Sequence, residues 1–200
     1  MNSNTEKRDI LISNFNHSAS VIAKVLESKE LIDQILQATE VLTETIKTKN
    51  IIYSCGNGGS MADAIHFAEE LSGRFQDDRP GLPAISISDP GHISCVGNDY
   101  GYEHIFSRFI ESVGKKSDTL VGVSTSGNSK NVLIAMKKAK ELGMKTICLL
   151  GKDGGSIKNE CDLPIIVPDQ TTHRIQEIHI QIIHNLIEGI ERNLFPENYK

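Results

Sequence analysis

Residues 51–60 read Ile51-Ile52-Tyr53-Ser54-Cys55-Gly56-Asn57-Gly58-Gly59-Ser60, and over 61–72 the chain takes up helical spacing. An apolar run, a glycine-rich turn and a helix make a strand–turn–helix unit. The alternation recurs downstream. Residues 84–87, 120–123, 146–150 and 163–167 read as four more buried strands. Helical patterns occupy 103–113, 130–142 and 172–194. Strands alternating with helices predict an α/β fold with a parallel sheet covered on both faces. Pro164 lacks an amide hydrogen, which places the fifth strand at an edge.

Two amphipathic helices precede this core. One puts Ile10, Leu11, Phe15, Ile22 and Leu26 near one stripe, and the next does so with Leu31, Ile32, Ile35, Leu36, Leu42 and Ile46. Such stripes need an apolar surface to cover, on the same chain or on another subunit. We read residues 1–200 as one domain, with N-terminal helices over 1–48 and an α/β core over 49–200 that includes the C-terminal helix.

The 200 residues suffice for a full core, and 38% hydrophobic with 24% charged residues is ordinary for a water-soluble chain. A formal net charge of -5 makes a nucleic-acid backbone an unsuitable partner. A small anion remains compatible, since amide hydrogens suffice to cradle it. No apolar run has the length of a membrane span, and the N-terminus lacks the pattern of a secretory signal. Cys55, Cys95, Cys148 and Cys161 form no CxxC pair and read as thiols of a cytoplasmic protein.

In open parallel sheets the ligand crevice lies beyond the carboxyl ends of the strands. Two motifs occupy such positions. In Gly56-Asn57-Gly58-Gly59-Ser60 the glycines allow close approach of a ligand, with Ser60 as the expected helix cap. A plain tight turn is the simpler alternative. The motif is no dinucleotide fingerprint, because Met61 stands where the third glycine belongs. In Ser124-Thr125-Ser126-Gly127-Asn128-Ser129, hydroxyls and a glycine gather before a helix start. That suits a phosphate better than it suits a mere cap, and the lack of GKS or GKT disfavours a nucleotide P-loop.

Two helices carry candidate chemistry. His66 and Glu70 are four apart and share a face, as a metal-chelating pair, an acid–base pair or a solvated ion pair. The last helix interleaves His173, Gln176, Glu177, His179, Gln181 and His184 with isoleucines, which forces some polar groups to the core edge. A lone histidine there is more often a satisfied core residue than a ligand. By periodicity, Glu177 and His184, seven apart, form the natural pair.

Across nearly the whole chain the strings CGNGGSMADAIHFAEELSGRF, ISCVGNDYGYEHIFSR, STSGNSKNV, GKDGGS and RIQEIHIQIIH resemble the bacterial phosphoheptose isomerases of the SIS (sugar isomerase) family. The resemblance implies a three-layer α/β/α SIS fold with a five-stranded parallel sheet, assembled as a homotetramer. It implies conversion of D-sedoheptulose 7-phosphate to D-glycero-D-manno-heptose 7-phosphate, the first step towards lipopolysaccharide heptose. By matching position, Asn57, Gly58, Gly59, Glu70, Asn98, Asp99 and Gln176 contact substrate, and Ser124, Thr125, Ser126 and Ser129 hold its phosphate. Glu70 and His184 become the proton-transfer residues. His66, Glu70, Gln176 and His184 become the ligands of a zinc ion, so that Gln176 replaces the Glu177 favoured by periodicity. Arg74 adds charge to the site or is a surface arginine beside Asp77 and Asp78. Two non-catalytic readings compete. One is a tetrameric SIS relative of these enzymes that binds the replication initiator DnaA, and the chain shares with that relative the tail Leu194-Phe195-Pro196; the other is a sugar-phosphate sensor. The intact GNGGS motif, Glu70 and His184 favour the enzyme.

Overall fold

The computed structural model describes residues 4–199. Helices α1 (Asn4–Glu27) and α2 (Lys29–Lys47) lead into β1 (Ile52–Gly56), α3 (Gly59–Ser72), β2 (Ala84–Ser86) and α4 (Pro90–Asp99). A short 3-10 turn (Tyr102–His104) precedes α5 (Ile105–Val113), β3 (Thr119–Ser124), α6 (Lys130–Glu141), β4 (Lys145–Gly151), β5 (Leu163–Val167) and α7 (Thr172–Leu194). The five strands pair in parallel in the order β2-β1-β3-β4-β5. This is the three-layer α/β/α architecture that the resemblance implied, and β5 with Pro164 does form an edge.

The central strands β1, β3 and β4 are buried over almost their whole length because both faces of the sheet are covered. On one face Val121, Val123, Ile147, Leu149 and Ile165 join Leu42, Phe67, Leu71 and the α7 isoleucines. On the other, Leu120, Cys148 and Leu150 join Phe106, Ile110, Val132 and Met136. Alternate residues of one strand thus serve opposite layers. Val21 of α1 and Leu31, Ala38 and Leu42 of α2 lie in the first layer, so the N-terminal helices extend the core. Among the described residues no helix is long and apolar enough to cross a membrane.

The strand order reverses between β1 and β3, the topological switch point at which α/β sheets open a crevice. The glycine motif after β1 and the serine motif after β3 flank it.

Three local expectations need correction. Helix α4 was not anticipated, and Asn98 and Asp99 close that helix instead of lying on a loop directly after β2. Its start carries a clear signal: Asp89 accepts the His92 amide at 2.7 Å, and Pro90 occupies the first turn. Ser60 does not cap α3; the cap is Gly58 at φ 56°, and Ser60 is buried in the first turn. Glu177 does not face His184. It accepts from Ser18 Oγ at 2.7 Å and from Arg174 Nη1 at 2.5 Å, binding α7 to α1.

Candidate active site

Helices α3 and α7 each follow a strand of one parallel sheet, and they pack side by side in the same direction. Their contacts step along both axes. At the start of α3, the Gln176 side-chain amide packs on Gly59, which leaves no room for a Cβ there. About two turns further on, His66 Nε2 lies 3.0 Å from His184 Nε2. The same His66 nitrogen stands 3.6 Å from Glu70 Oε1, and His66 Nδ1 stands 3.1 Å from Glu69 Oε1. The Phe75 ring covers His184, with centroids 5.7 Å apart.

His66, Glu70 and His184 therefore converge, while Gln176 is held toward the other end of α3. Two ligands of a tetrahedral zinc ion with nitrogen bonds of 2.0–2.1 Å stand about 3.3 Å apart. The 3.0 and 3.6 Å separations, both measured from His66 Nε2, bracket that spacing, so His66 with His184 and His66 with Glu70 each have the spacing of a ligand pair. Glu69 was missed in the sequence, although His66, Glu69 and Glu70 form a cluster whose ligand atoms lie within 4.8 Å of one another. Its place outside His66 Nδ1 is that of a carboxylate orienting a ligating imidazole.

The other two histidines of α7 have different fates. His173 is exposed, whereas His179 is fully buried with Nε2 2.9 Å from the Leu150 carbonyl. Burial depresses its pKa from 6.5 to about 4, with the Leu150 bond pulling weakly the other way. Asp63, one turn before His66, is also buried. Desolvation raises its carboxyl to about 6, and the nearby His66 opposes that rise.

The serine turn is shaped for an anion. Ser124 Oγ and Ser129 Oγ face each other at 2.9 Å. Ser129 is the N-cap of α6, yet its side chain makes no capping bond; of the first-turn amides, that of Val132 donates to Asn131 Oδ1 at 2.9 Å, and the Ser129 hydroxyl claims none. Gly127 has φ 65°, and a Cβ there would strike the Gly154 carbonyl. The GKDGGS loop is thereby locked against the serine turn: Ile157 N donates to Gly127 O at 3.0 Å and Ser156 N to Asn128 Oδ1 at 3.0 Å. Thr125 and Ser126 are half-buried on the same turn.

Asn57 joins the two motifs across the switch point. It exchanges two hydrogen bonds of 2.8 Å with Asn131 of α6, and its Oδ1 also accepts from Tyr102 Oη at 3.0 Å. Asn131 and Tyr102 were not singled out by motif, although a polar residue in the first turn of α6 beside the serine motif was a usable hint. Gly58 and Gly59 are exposed at the mouth of the crevice. Asn98 and Asp99 are exposed and bond to each other at 2.7 Å. Arg74 is exposed, with no ion pair among the described residues.

Comparison with known proteins follows the same lines. The SIS domain family model matches residues 13–151. The phosphoheptose isomerase of Fusobacterium nucleatum is 48% identical over 189 residues, 94% of this chain and 97% of that protein. That of Enterobacter sp. (strain 638) is 50% identical over 188 residues, 94% and 98% respectively. The solved structure of a phosphoheptose isomerase from Francisella tularensis superposes with a TM-score of 0.89 at 34% identity, covering 93% of this chain and 98% of that one. A sheet that opens between a glycine turn and a serine turn, with near-full-length likeness to these enzymes, leaves one assignment: the chain belongs to the SIS-domain family as a phosphoheptose isomerase.

Proposed function

We propose that this sugar-phosphate isomerase interconverts D-sedoheptulose 7-phosphate and D-glycero-D-manno-heptose 7-phosphate, with Glu70 as carbon base and His184 as the opposing acid. The observation that carries the reading is the convergence of Glu70 and His184 on one nitrogen of His66, at 3.6 and 3.0 Å.

The phosphate rests on Ser124, Thr125, Ser126, Ser129 and the first amides of α6. This remote grip orients the reacting carbons. Asn57, Gly58, Gly59, Asn98, Asp99 and Gln176 line the sugar. Glu70 takes the proton from C1 while His184 gives one to the carbonyl oxygen at C2, producing an enediol. Glu70 then returns its proton to C2, His184 recovers a proton from the oxygen at C1, and the aldose results. A zinc ion would be held by His66, Glu70, Gln176 and His184, and Glu70 and His184 would act as base and acid only while not bound to it. When bound, the ion polarises the carbonyl and stabilises the developing oxyanion.

Residues 1–200 act as one SIS domain in a cytoplasmic homotetramer. Supporting self-association, Leu11 and Phe15 of α1 are 60% and 76% exposed, and an apolar groove of about 500 Å³ runs between α1, α2 and α7. The testing experiment is incubation with sedoheptulose 7-phosphate, with and without a chelator, followed by product analysis. Aldose heptose phosphate is the expected product, reduced by chelation. Its absence from both arms overturns the assignment of substrate.

A further inference from the structure

Below the reacting groups, α3 ends on a buried guanidinium. Its last carbonyls have no helical partners and carry the negative end of the helix dipole. Arg79, from the connection to β2, collects them. Nη2 donates to Glu70 O at 2.7 Å, and Nη1 donates to Leu71 O at 2.7 Å and Gly73 O at 2.9 Å. The remaining edge is directed at α7, where Nε donates to Glu191 Oε1 at 2.7 Å. Both side chains are almost wholly buried, at 1% and 3% exposure. The second Glu191 oxygen accepts from Tyr199 Oη at 2.5 Å, so the carboxylate is held from both sides.

The spacing matters. Glu191 is seven residues beyond His184, which puts it two turns further along nearly the same face of α7. Arg79 bonds the main-chain carbonyl of Glu70 itself. The pair therefore fixes the end of α3 that carries the carboxylate against the helix that carries the imidazole. A planar fork that bonds several acceptors at once holds such a joint in one geometry, which an ammonium cannot do.

We infer that Arg79 and Glu191 are positioning residues for the isomerisation, setting the separation of Glu70 from His184 through a buried ion pair locked by Tyr199. The inference rests on the reading that Glu70 and His184 carry out the proton transfers. The Arg79 and Glu191 side chains are buried on protein partners and lie on neither the glycine turn nor the serine turn, so substrate affinity should be insulated from them.

The test compares purified, folded Glu191→Gln, Arg79→Lys and Tyr199→Phe variants with the unaltered enzyme, separating kcat from KM. Binding of inorganic phosphate is followed alongside by its shift of the thermal unfolding midpoint. Displacing a reacting group by an ångström costs up to about 100-fold in rate. We expect kcat to fall about 10- to 100-fold in Glu191→Gln and Arg79→Lys, with KM and the phosphate shift unchanged. Wild-type kcat in either folded variant, or kcat and phosphate binding lost in step, overturns the inference. Should both fail to fold, Tyr199→Phe decides: a reduced kcat at unchanged KM supports the role, and wild-type kinetics refutes it. Glu70→Gln is assayed in parallel. If that variant is fully active, the reading of the site has failed; if it is inactive while Glu191→Gln is normal, only the positioning role has failed.

Discussion

The Nε2 atoms of His66 and His184 stand 3.0 Å apart although 118 residues separate them in sequence. Two imidazole nitrogens at that distance share one proton or one cation. Changing even an outer partner of a metal ligand costs about 10–100-fold in affinity. His66→Ala should therefore weaken zinc binding at least that much, measured by competition with a chromogenic chelator. Glu69→Gln should weaken it by a smaller factor, since it alters only the partner of His66 Nδ1. Unchanged affinity in His66→Ala would place the metal elsewhere.

A general base contributes about 10²–10⁴-fold to rate. Glu70→Gln keeps the shape of the side chain and should lower kcat by that order, while protection against heat by inorganic phosphate persists. Full turnover in this variant would remove Glu70 from the proton-transfer step.

Ser124 and Ser129 oppose each other over the turn, and a hydrogen bond to a charged group is worth about 1.5–3 kcal/mol. Ser124→Ala combined with Ser129→Ala should raise KM by roughly two orders of magnitude or more, with a much smaller change in kcat. An unaltered KM would mean that the phosphate is held somewhere else.

His179 gives the fold an acid sensitivity. Its Nε2 donates to Leu150 O, and its buried Nδ1 has no partner, so a second proton has nowhere favourable to go. The folded pKa of about 4 lies below the usual 6.5. Between these values the unfolded chain binds more protons, so stability falls as pH drops through 6.5 towards 4, by up to about 3 kcal/mol. Asp63 works in the opposite sense. Its carboxyl is raised from 3.8 to about 6, so its contribution is present at acid pH and is lost as pH rises through about 6. His179→Gln retains a donor for Leu150 O without titrating. Urea unfolding from pH 7 to pH 4 should show a shallower loss in His179→Gln than in the unaltered protein. Parallel curves would show that His179 is not the source.

The sheet was legible because its strands are short apolar runs punctuated by glycine or serine turns, a pattern with few other solutions. Helix α4 was not, since Pro90-Gly91-His92 disguises a start that Asp89 caps, and only Val96 among its residues is buried. The His66–Glu70 pair followed from helical spacing, but its meeting with His184 depends on which helices the sheet order places side by side. Spacing also misdirected: Glu177 is seven residues from His184, yet Ser18 and Arg174 claim it, a competition that becomes visible only once α1 is in place. Arg79 looked like one more charged residue in a loop. Nothing local to it reveals a partner 112 residues downstream.

The helix bearing His184 and Glu191 follows all five strands in the chain. The serine turn and the glycine loop that braces it are complete by residue 157, well before His184. On the reading that His184 is the acid, a chain cut between those two points would keep every residue of the phosphate turn and lack the imidazole, so that gripping the anion and moving the proton are separable along the sequence.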